Sequence, residues 1–236
     1  MRRSSRPYQR VRSVGATVSS GSAATPSWQG QRAEPTRLVL LRHGQTPLSI
    51  ERRYSGRGNP RLTELGEQQA LAAASRIAAE ADVAAVVSSP LDRARQTAQA
   101  VVDRIGGEVI EDAGFIENDF GGWEGLTFSE AAARDPQVHA RWLGDYTAPA
   151  PDGESFAQVA ERVIAAKDQL VQKYSGRTVV VVSHVTPIKT LLQHALTVGP
   201  ELLFHLHLDL ASVSVTEFYP DGGSVVRSVN ETAHLN

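Results

Sequence analysis

Leu38-Val39-Leu40-Leu41-Arg42-His43-Gly44-Gln45-Thr46 is the stretch on which the fold turns. Four successive apolar residues with no polar alternation have the pattern of a strand buried on both faces, and that burial belongs to mainly parallel sheets covered by helices. Arg42-His43-Gly44 then breaks the run into a loop. A guanidinium and an imidazole are thereby delivered to the carboxyl end of a buried strand, where open α/β sheets bind ligands. Imidazole can attack phosphorus, and guanidinium matches phosphate oxygens bidentately. Gly44 is expected to let a ligand approach the backbone closely.

Three later segments bring chemistry to comparable places. Ser88-Ser89-Pro90-Leu91-Asp92-Arg93-Ala94-Arg95 follows the apolar run 83–87. Phe115-Ile116-Glu117-Asn118-Asp119-Phe120-Gly121-Gly122-Trp123-Glu124-Gly125 follows a short extended run, and Val179-Val180-Val181-Val182 leads into Ser183-His184. The carboxyl ends of parallel strands lie along one edge of a sheet, so residues far apart in sequence converge there.

The remaining pattern alternates strand and helix. Strands are expected at 37–41, 83–88, near 108–111 and at 178–183. Helices are expected from Thr63, the N-cap, to about residue 80, over 91–105, from 155 to about 174, and over 187–196. Residues 112–155 read as a long insertion with a helical piece at 128–133 and a proline-rich stretch around Pro149 and Pro151. A hairpin, 212–219 and 224–230 about the Asp221-Gly222-Gly223 turn, ends the chain. This alternation predicts an α/β fold, a three-layer α/β/α sandwich whose central sheet is mainly parallel with helices on both faces.

With 236 residues the chain is long enough for one domain with a substantial core. Residues 1–35 hold six arginines and one acidic residue, so within a formal net charge of −2 this segment contributes +5 and residues 36–236 contribute −7. The segment, rich in Arg, Ser, Gly and Ala, reads as a disordered basic tail or linker before a domain at 36–236. Arg2-Arg3 is followed by too poor an apolar stretch for an export signal. The acidic body argues against nucleic acid as a partner, and no apolar run approaches the ~20 residues of a membrane helix. There is no cysteine, hence no disulfide and no thiolate metal site, which fits a reducing, cytoplasmic location.

Taken together, Arg42-His43-Gly44, Ser89-Pro90-Leu91-x-Arg93-Ala94, Glu117-x-x-Phe120-Gly121-x-Trp123-Glu124-Gly125 and Ser183-His184 resemble the histidine phosphatase superfamily, with its phosphoglycerate mutase-like fold. The resemblance runs from about Thr36 to the C-terminus. Ser183-His184-Val185-Thr186-Pro187-Ile188-Lys189 and His207-Leu208-Asp209-Leu210-Ala211-Ser212 are more narrowly similar to the phosphatase half of actinobacterial bifunctional ribonuclease H/acid phosphatase proteins, and that half to alpha-ribazole phosphatase. The basic segment is expected to be too small to carry a ribonuclease part.

The resemblance implies a phosphomonoester hydrolase acting through phosphohistidine on a small phosphorylated metabolite, with alpha-ribazole phosphate one candidate. It implies no metal and no cofactor, and leaves a homodimer open. His43 would be the nucleophile, with Nε2 toward phosphorus. Arg42, Arg93 and His184 would clamp the phosphoryl group, whose charge spreads over its equatorial oxygens. Glu117 would protonate the leaving oxygen and then deprotonate water; Asp119 and Glu124 are its neighbours and rivals. Ser55 and Gly56 would contact phosphate through the hydroxyl and backbone N–H groups. Ser49 stands where the family commonly has Asn, and Val185 where it has Gly, so both belong to the expected phosphate site as departures. Mutase-type phosphoryl transfer and a catalytically silent phosphate-binding module are the alternatives. Trp123, Phe128, Trp142 and Tyr146 either wall a leaving-group lid or simply pack the insertion. His205, His207 and Asp209 do not have the spacing of a standard metal ligand set.

Overall fold

The computed structural model describes residues 33–80 and 82–236, so the expected basic tail, through residue 32, lies outside the described residues. The first half of the chain forms β1 (Thr36–Arg42), α1 (Pro47–Ile50), α2 (Glu64–Ile77), β2 (Val83–Ser88), α3 (Asp92–Ile105) and β3 (Val109–Glu111). The second half forms α4 (Phe128–Arg134), α5 (Pro136–Gly144), α6 (Phe156–Lys173), β4 (Thr178–Ser183), α7 (Val185–Leu196), α8 (Leu202–His205), β5 (Val213–Phe218) and β6 (Ser224–Glu231).

The six strands form one sheet in the order β3-β2-β4-β1-β5-β6. The first four are mutually parallel, whereas β5 runs antiparallel to β1 and β6 antiparallel to β5. The unbroken apolar runs of β1 and β4 follow from this central placement. Leu38, Leu40, Val179 and Val181 pack against α6 and α7 on one face. Val39, Leu41, Val180 and Val182 pack against the alanine-rich faces of α2 and α3 on the other. Each such side chain contributes roughly 1.5–3 kcal/mol on burial. Every residue of both runs is buried in one layer or the other, and this makes the middle of the sheet a rigid platform. No helix among the described residues is long and apolar enough to cross a membrane.

The structure corrects several expected boundaries. α7 begins at Val185 and carries Pro187 as its third residue. Proline is tolerated in a first turn because the N–H it lacks has no partner within the helix. α2 ends at Ile77, short of residue 80. The insertion is more helical than expected: α5 follows α4 directly, with Pro136 at its start and His139 and Trp142 turned inward. Its aromatic residues form a third cluster in which Phe120, Trp123, Trp142, Phe156 and Leu203 are buried. The His/Leu alternation near residue 205 is partly helical, in α8.

Candidate active site

β1 and β4 are parallel neighbours paired Arg42 to Ser183, so the next residue of each strand emerges at the same level. His43 and His184 are therefore side by side, with ring centroids 5.1 Å apart. The His43 N–H continues the ladder to the Ser183 carbonyl at 3.1 Å, and its carbonyl accepts the Ala211 N–H at 3.1 Å. The ring nitrogen Nδ1 is 2.8 Å from the Gly44 carbonyl. A carbonyl can only accept, so Nδ1 carries the hydrogen and Nε2 holds the free lone pair. Burial, then the Arg93 and Arg42 charges, hold the His43 pKa well below the ordinary histidine value. The ring is thus neutral and in the tautomer a nucleophile needs.

Gly44 has a packing reason that the sequence did not show. A Cβ there would meet the Gly66 carbonyl oxygen at 2.4 Å, and one on Gly66 would meet the Gln45 carbonyl oxygen at 2.2 Å. The two glycines let the first turn of α2 press against the nucleophile's loop, backbone to backbone.

Arg42 closes β1 and donates from Nη1 to the Leu208 carbonyl. Burial lowers its pKa to about 10, against the opposing pull of Glu117 and Asp209. Arg93, in the first turn of α3, is fully buried. Its Nη1 donates to the Gly58 carbonyl at 2.8 Å, and Nη2 to those of Ser55 and Gly56 at 2.9 and 3.0 Å. Arg95, two residues on, is half exposed and pairs with Glu111 at 3.0 Å, as its different helix face requires. Among the described residues Arg42 Nε, Arg93 Nε, His184 Nδ1 and Ser55 Oγ are buried polar atoms with no hydrogen-bond partner. Buried donors are paired in folded proteins, and a group of unpaired ones around a histidine pair suits an anion.

His184 occupies the N-cap position of α7, and its Nε2 lies 2.7 Å from Ser89 Oγ. Ser89 Oγ also accepts the Leu91 N–H at 3.4 Å, which ties the hydroxyl that meets His184 Nε2 to the start of α3. Burial and the neighbouring Arg93, His43 and Arg42 charges push the His184 pKa well below its usual value. Ser89 and Thr97 are positioning residues that sequence reasoning missed. Thr97 Oγ1 accepts the Gly44 N–H at 3.2 Å and donates to the Arg93 carbonyl at 2.8 Å, tying the nucleophile loop to α3. A hydroxyl directly after strand β2 was the legible signal for Ser89; Thr97 offered none.

Glu117 is buried beside the first turn of α7. Its Oε1 accepts the Asn118 N–H at 2.8 Å and the Thr186 N–H at 3.2 Å. Arg162 fixes this segment through the Gly114, Ile116 and Glu117 carbonyls, another contact without a sequence signal. The rivals are occupied elsewhere. Glu124 accepts the Gly56 and Gly58 N–H groups and braces the 55–58 loop. Asp119 accepts the Gly121 N–H and faces Arg57. Of the three carboxylates, Glu117 is the one whose charge raises the pKa of both Arg42 and Arg93.

The remaining expected residues are placed unevenly. The Gly56 N–H points at Glu124, not into the site. Ser49 forms a capping box with Thr46, donating its hydroxyl to the Thr46 carbonyl at 2.7 Å. Val185 opens α7 directly after His184. His205 is exposed, and His207 pairs with Asp209 at 3.2 Å on the surface. No three metal-ligating side chains of the described residues converge.

A family model described as histidine phosphatase superfamily (branch 1) matches residues 38–231. The bifunctional protein Rv2228c of Mycobacterium tuberculosis is 55% identical over 218 residues, covering 92% of this chain. The match covers 60% of that relative's length. Phosphoserine phosphatase 1 of Hydrogenobacter thermophilus is 31% identical over 200 residues, 84% of this chain and 94% of that protein. Among solved structures, a putative alpha-ribazole-5'-P phosphatase from Escherichia coli superposes with a TM-score of 0.75 at 26% identity, covering 83% of this chain and 96% of that one.

Proposed function

Since the chain belongs to the histidine phosphatase superfamily, we infer that its site hydrolyses small phosphomonoesters through a phosphohistidine. One observation carries this reading: the neutral His43, with a free Nε2, faces His184 among buried, unpaired donors of Arg42, Arg93 and Ser55. The Nε2 lone pair attacks phosphorus as the ester P–O bond breaks. Glu117 gives the leaving oxygen its proton, so a neutral alcohol departs. Arg42, Arg93 and His184 Nδ1–H hold the equatorial oxygens while charge redistributes. Glu117, now a carboxylate, takes a proton from water, whose oxygen displaces the imidazole from phosphorus and regenerates His43. A bound phosphoryl dianion raises the pKa of the His184 ring, so that ring can carry charge in the complex.

The proposal is for an acid phosphatase-type enzyme of the cytoplasm, free of metal, with alpha-ribazole phosphate among the substrates to test. It carries over the activities that similar proteins bear in their names. A panel of phosphomonoesters, run with and without chelator, is the test. Turnover that persists with chelator, acid-labile phosphate trapped on the wild type, and neither in His43→Ala are expected. Full turnover by His43→Ala would overturn the mechanism, and phosphate returned to a second hydroxyl would make the enzyme a mutase.

A further inference from the structure

Asn118 carries a buried amide that the fold leaves open at both ends. The residue is fully buried, and neither Nδ2 nor Oδ1 has a hydrogen-bond partner among the described residues. No other described residue has two such side-chain atoms. Folded proteins keep very few unpaired buried polar groups, because each loses its water contacts without replacement. An apolar side chain of similar shape would fill the same space without that penalty. Packing alone therefore does not account for the amide.

The place of Asn118 is fixed on two sides. Its N–H donates to Glu117 Oε1 at 2.8 Å, so the residue adjoins the carboxyl assigned to proton transfer. Its carbonyl lies against Gly56, where a Cβ would collide with it. The Ser55 and Gly56 carbonyls in turn accept from Arg93 Nη2 at 2.9 and 3.0 Å. Asn118 is thus wedged between the general acid and the loop that holds one arm of the phosphate clamp. Ser55 Oγ and Arg93 Nε, also unpaired, are donors and suit an anion. Asn118 differs from them. Whichever way its amide is turned, one end donates and the other accepts. A phosphoryl dianion satisfies donors only. Water satisfies both ends, and buried waters characteristically pair with otherwise unmatched polar groups.

We propose that Asn118 positions the water that hydrolyses the phosphohistidine, and that it thereby favours water over an alcohol as phosphoryl acceptor. The proposal rests on the hydrolase reading above. In this step the water oxygen bonds to phosphorus, the N–P bond breaks, and its electron pair returns to His43 Nε2. One water proton passes to the Glu117 carboxylate. The other hydrogen stays on the oxygen and becomes the hydroxyl of the phosphate product. In a buried site that hydrogen needs an acceptor, and Asn118 Oδ1 supplies it. Of the two oxygen lone pairs, one attacks phosphorus and the other accepts from Asn118 Nδ2. An alcohol has a single hydroxyl hydrogen, which Glu117 takes, so Oδ1 gives it no help. Asn118 therefore tilts the second step toward hydrolysis and away from mutase-type transfer.

The test compares the wild type with Asn118→Leu on p-nitrophenyl phosphate. Leucine keeps the branched shape of asparagine without its polar atoms. Rapid quenching reads p-nitrophenolate release and phosphohistidine decay as two separate rates. Decay is expected to fall by ~10-fold or more in the variant, since a misplaced reactant costs that much, while release is unchanged. With ethylene glycol added, the share of phosphoryl groups passed to the glycol is expected to rise in the variant. Loss of a merely structural contact would leave that share as it was. Circular dichroism checks the fold, and Asn118→Ala makes the same comparison if leucine does not fit. Phosphohistidine decay at the wild-type rate, or an unchanged glycol share, would overturn the proposal, while wild-type turnover keeps the hydrolase reading. A wild type that releases no p-nitrophenolate would refute the hydrolase reading and the proposal with it.

Discussion

Replacing Glu117 by Gln isolates the proton from the architecture. Glutamine keeps an oxygen where Oε1 accepts the Asn118 and Thr186 N–H groups at 2.8 and 3.2 Å. The other carboxylate oxygen, 3.5 Å from the Thr186 nitrogen, contributes little to that capping. Two charge-assisted hydrogen bonds become neutral ones, which costs about 1 kcal/mol each. The fold survives, whereas Glu117→Ala would strand two buried N–H groups at ~1–3 kcal/mol apiece. The chemical loss is larger. An alkoxide cannot leave without a proton, so transfer from an alkyl phosphate should fall by ~10²–10⁴. At 1.36 kcal/mol per tenfold, that is about 2.7–5.4 kcal/mol of transition-state stabilisation. A p-nitrophenolate leaves readily as the anion, so transfer from p-nitrophenyl phosphate should fall by less than about tenfold. The second step needs Glu117 as base with either substrate. Stopped-flow measurement should therefore show a p-nitrophenolate burst of about one per site in Glu117→Gln, followed by slow turnover and accumulated phosphohistidine. Undiminished phosphohistidine formation from an alkyl phosphate would refute the assignment, and Glu124 would be the next carboxyl to test.

Acid should destabilise the protein through its paired histidines: the unfolded rings titrate near 6.5, but His43 and His184 stay neutral to lower pH, so the unfolded chain binds more protons below 6.5. Their contribution is full above that pH and lost as pH falls toward the folded values, roughly 2–3 kcal/mol for the pair between pH 7.5 and 5.5 by urea denaturation; an unchanged slope in His43→Gln would count against it. Ser89→Ala removes the hydroxyl 2.7 Å from His184 Nε2 and should lower kcat by ~10-fold or more, with the ring's NMR signals reporting a changed tautomer; wild-type kcat would rule out that positioning role. Gly44→Ala places a Cβ 2.4 Å from the Gly66 carbonyl oxygen and should cost ~1–3 kcal/mol in a thermal melt, so a variant as stable as the wild type would contradict the backbone contact described.

Local pattern alone determined much of this protein. Apolar runs without alternation marked β1 and β4 as central strands, because only burial on both faces selects such runs. The chemistry-bearing residues were legible for a related reason: Arg42, His43, Arg93 and His184 come at strand ends or in the first helical turn beyond, along the sheet edge where ligands bind. Tertiary structure decided what depends on partners distant in the chain. The spatial order β2-β4-β1 sets the two histidines 5.1 Å apart, although 141 positions separate them. Ser89, Thr97 and Arg162 acquired their roles only when folding brought acceptors and donors to them, as Glu124 did in bracing the 55–58 loop. The packing of Gly44 against Gly66 escaped the sequence, because no local pattern records that two backbones will meet. The insertion was least legible: its aromatic residues are polar-spaced in sequence and become a core only when α4, α5, α6 and α8 supply the opposing surfaces.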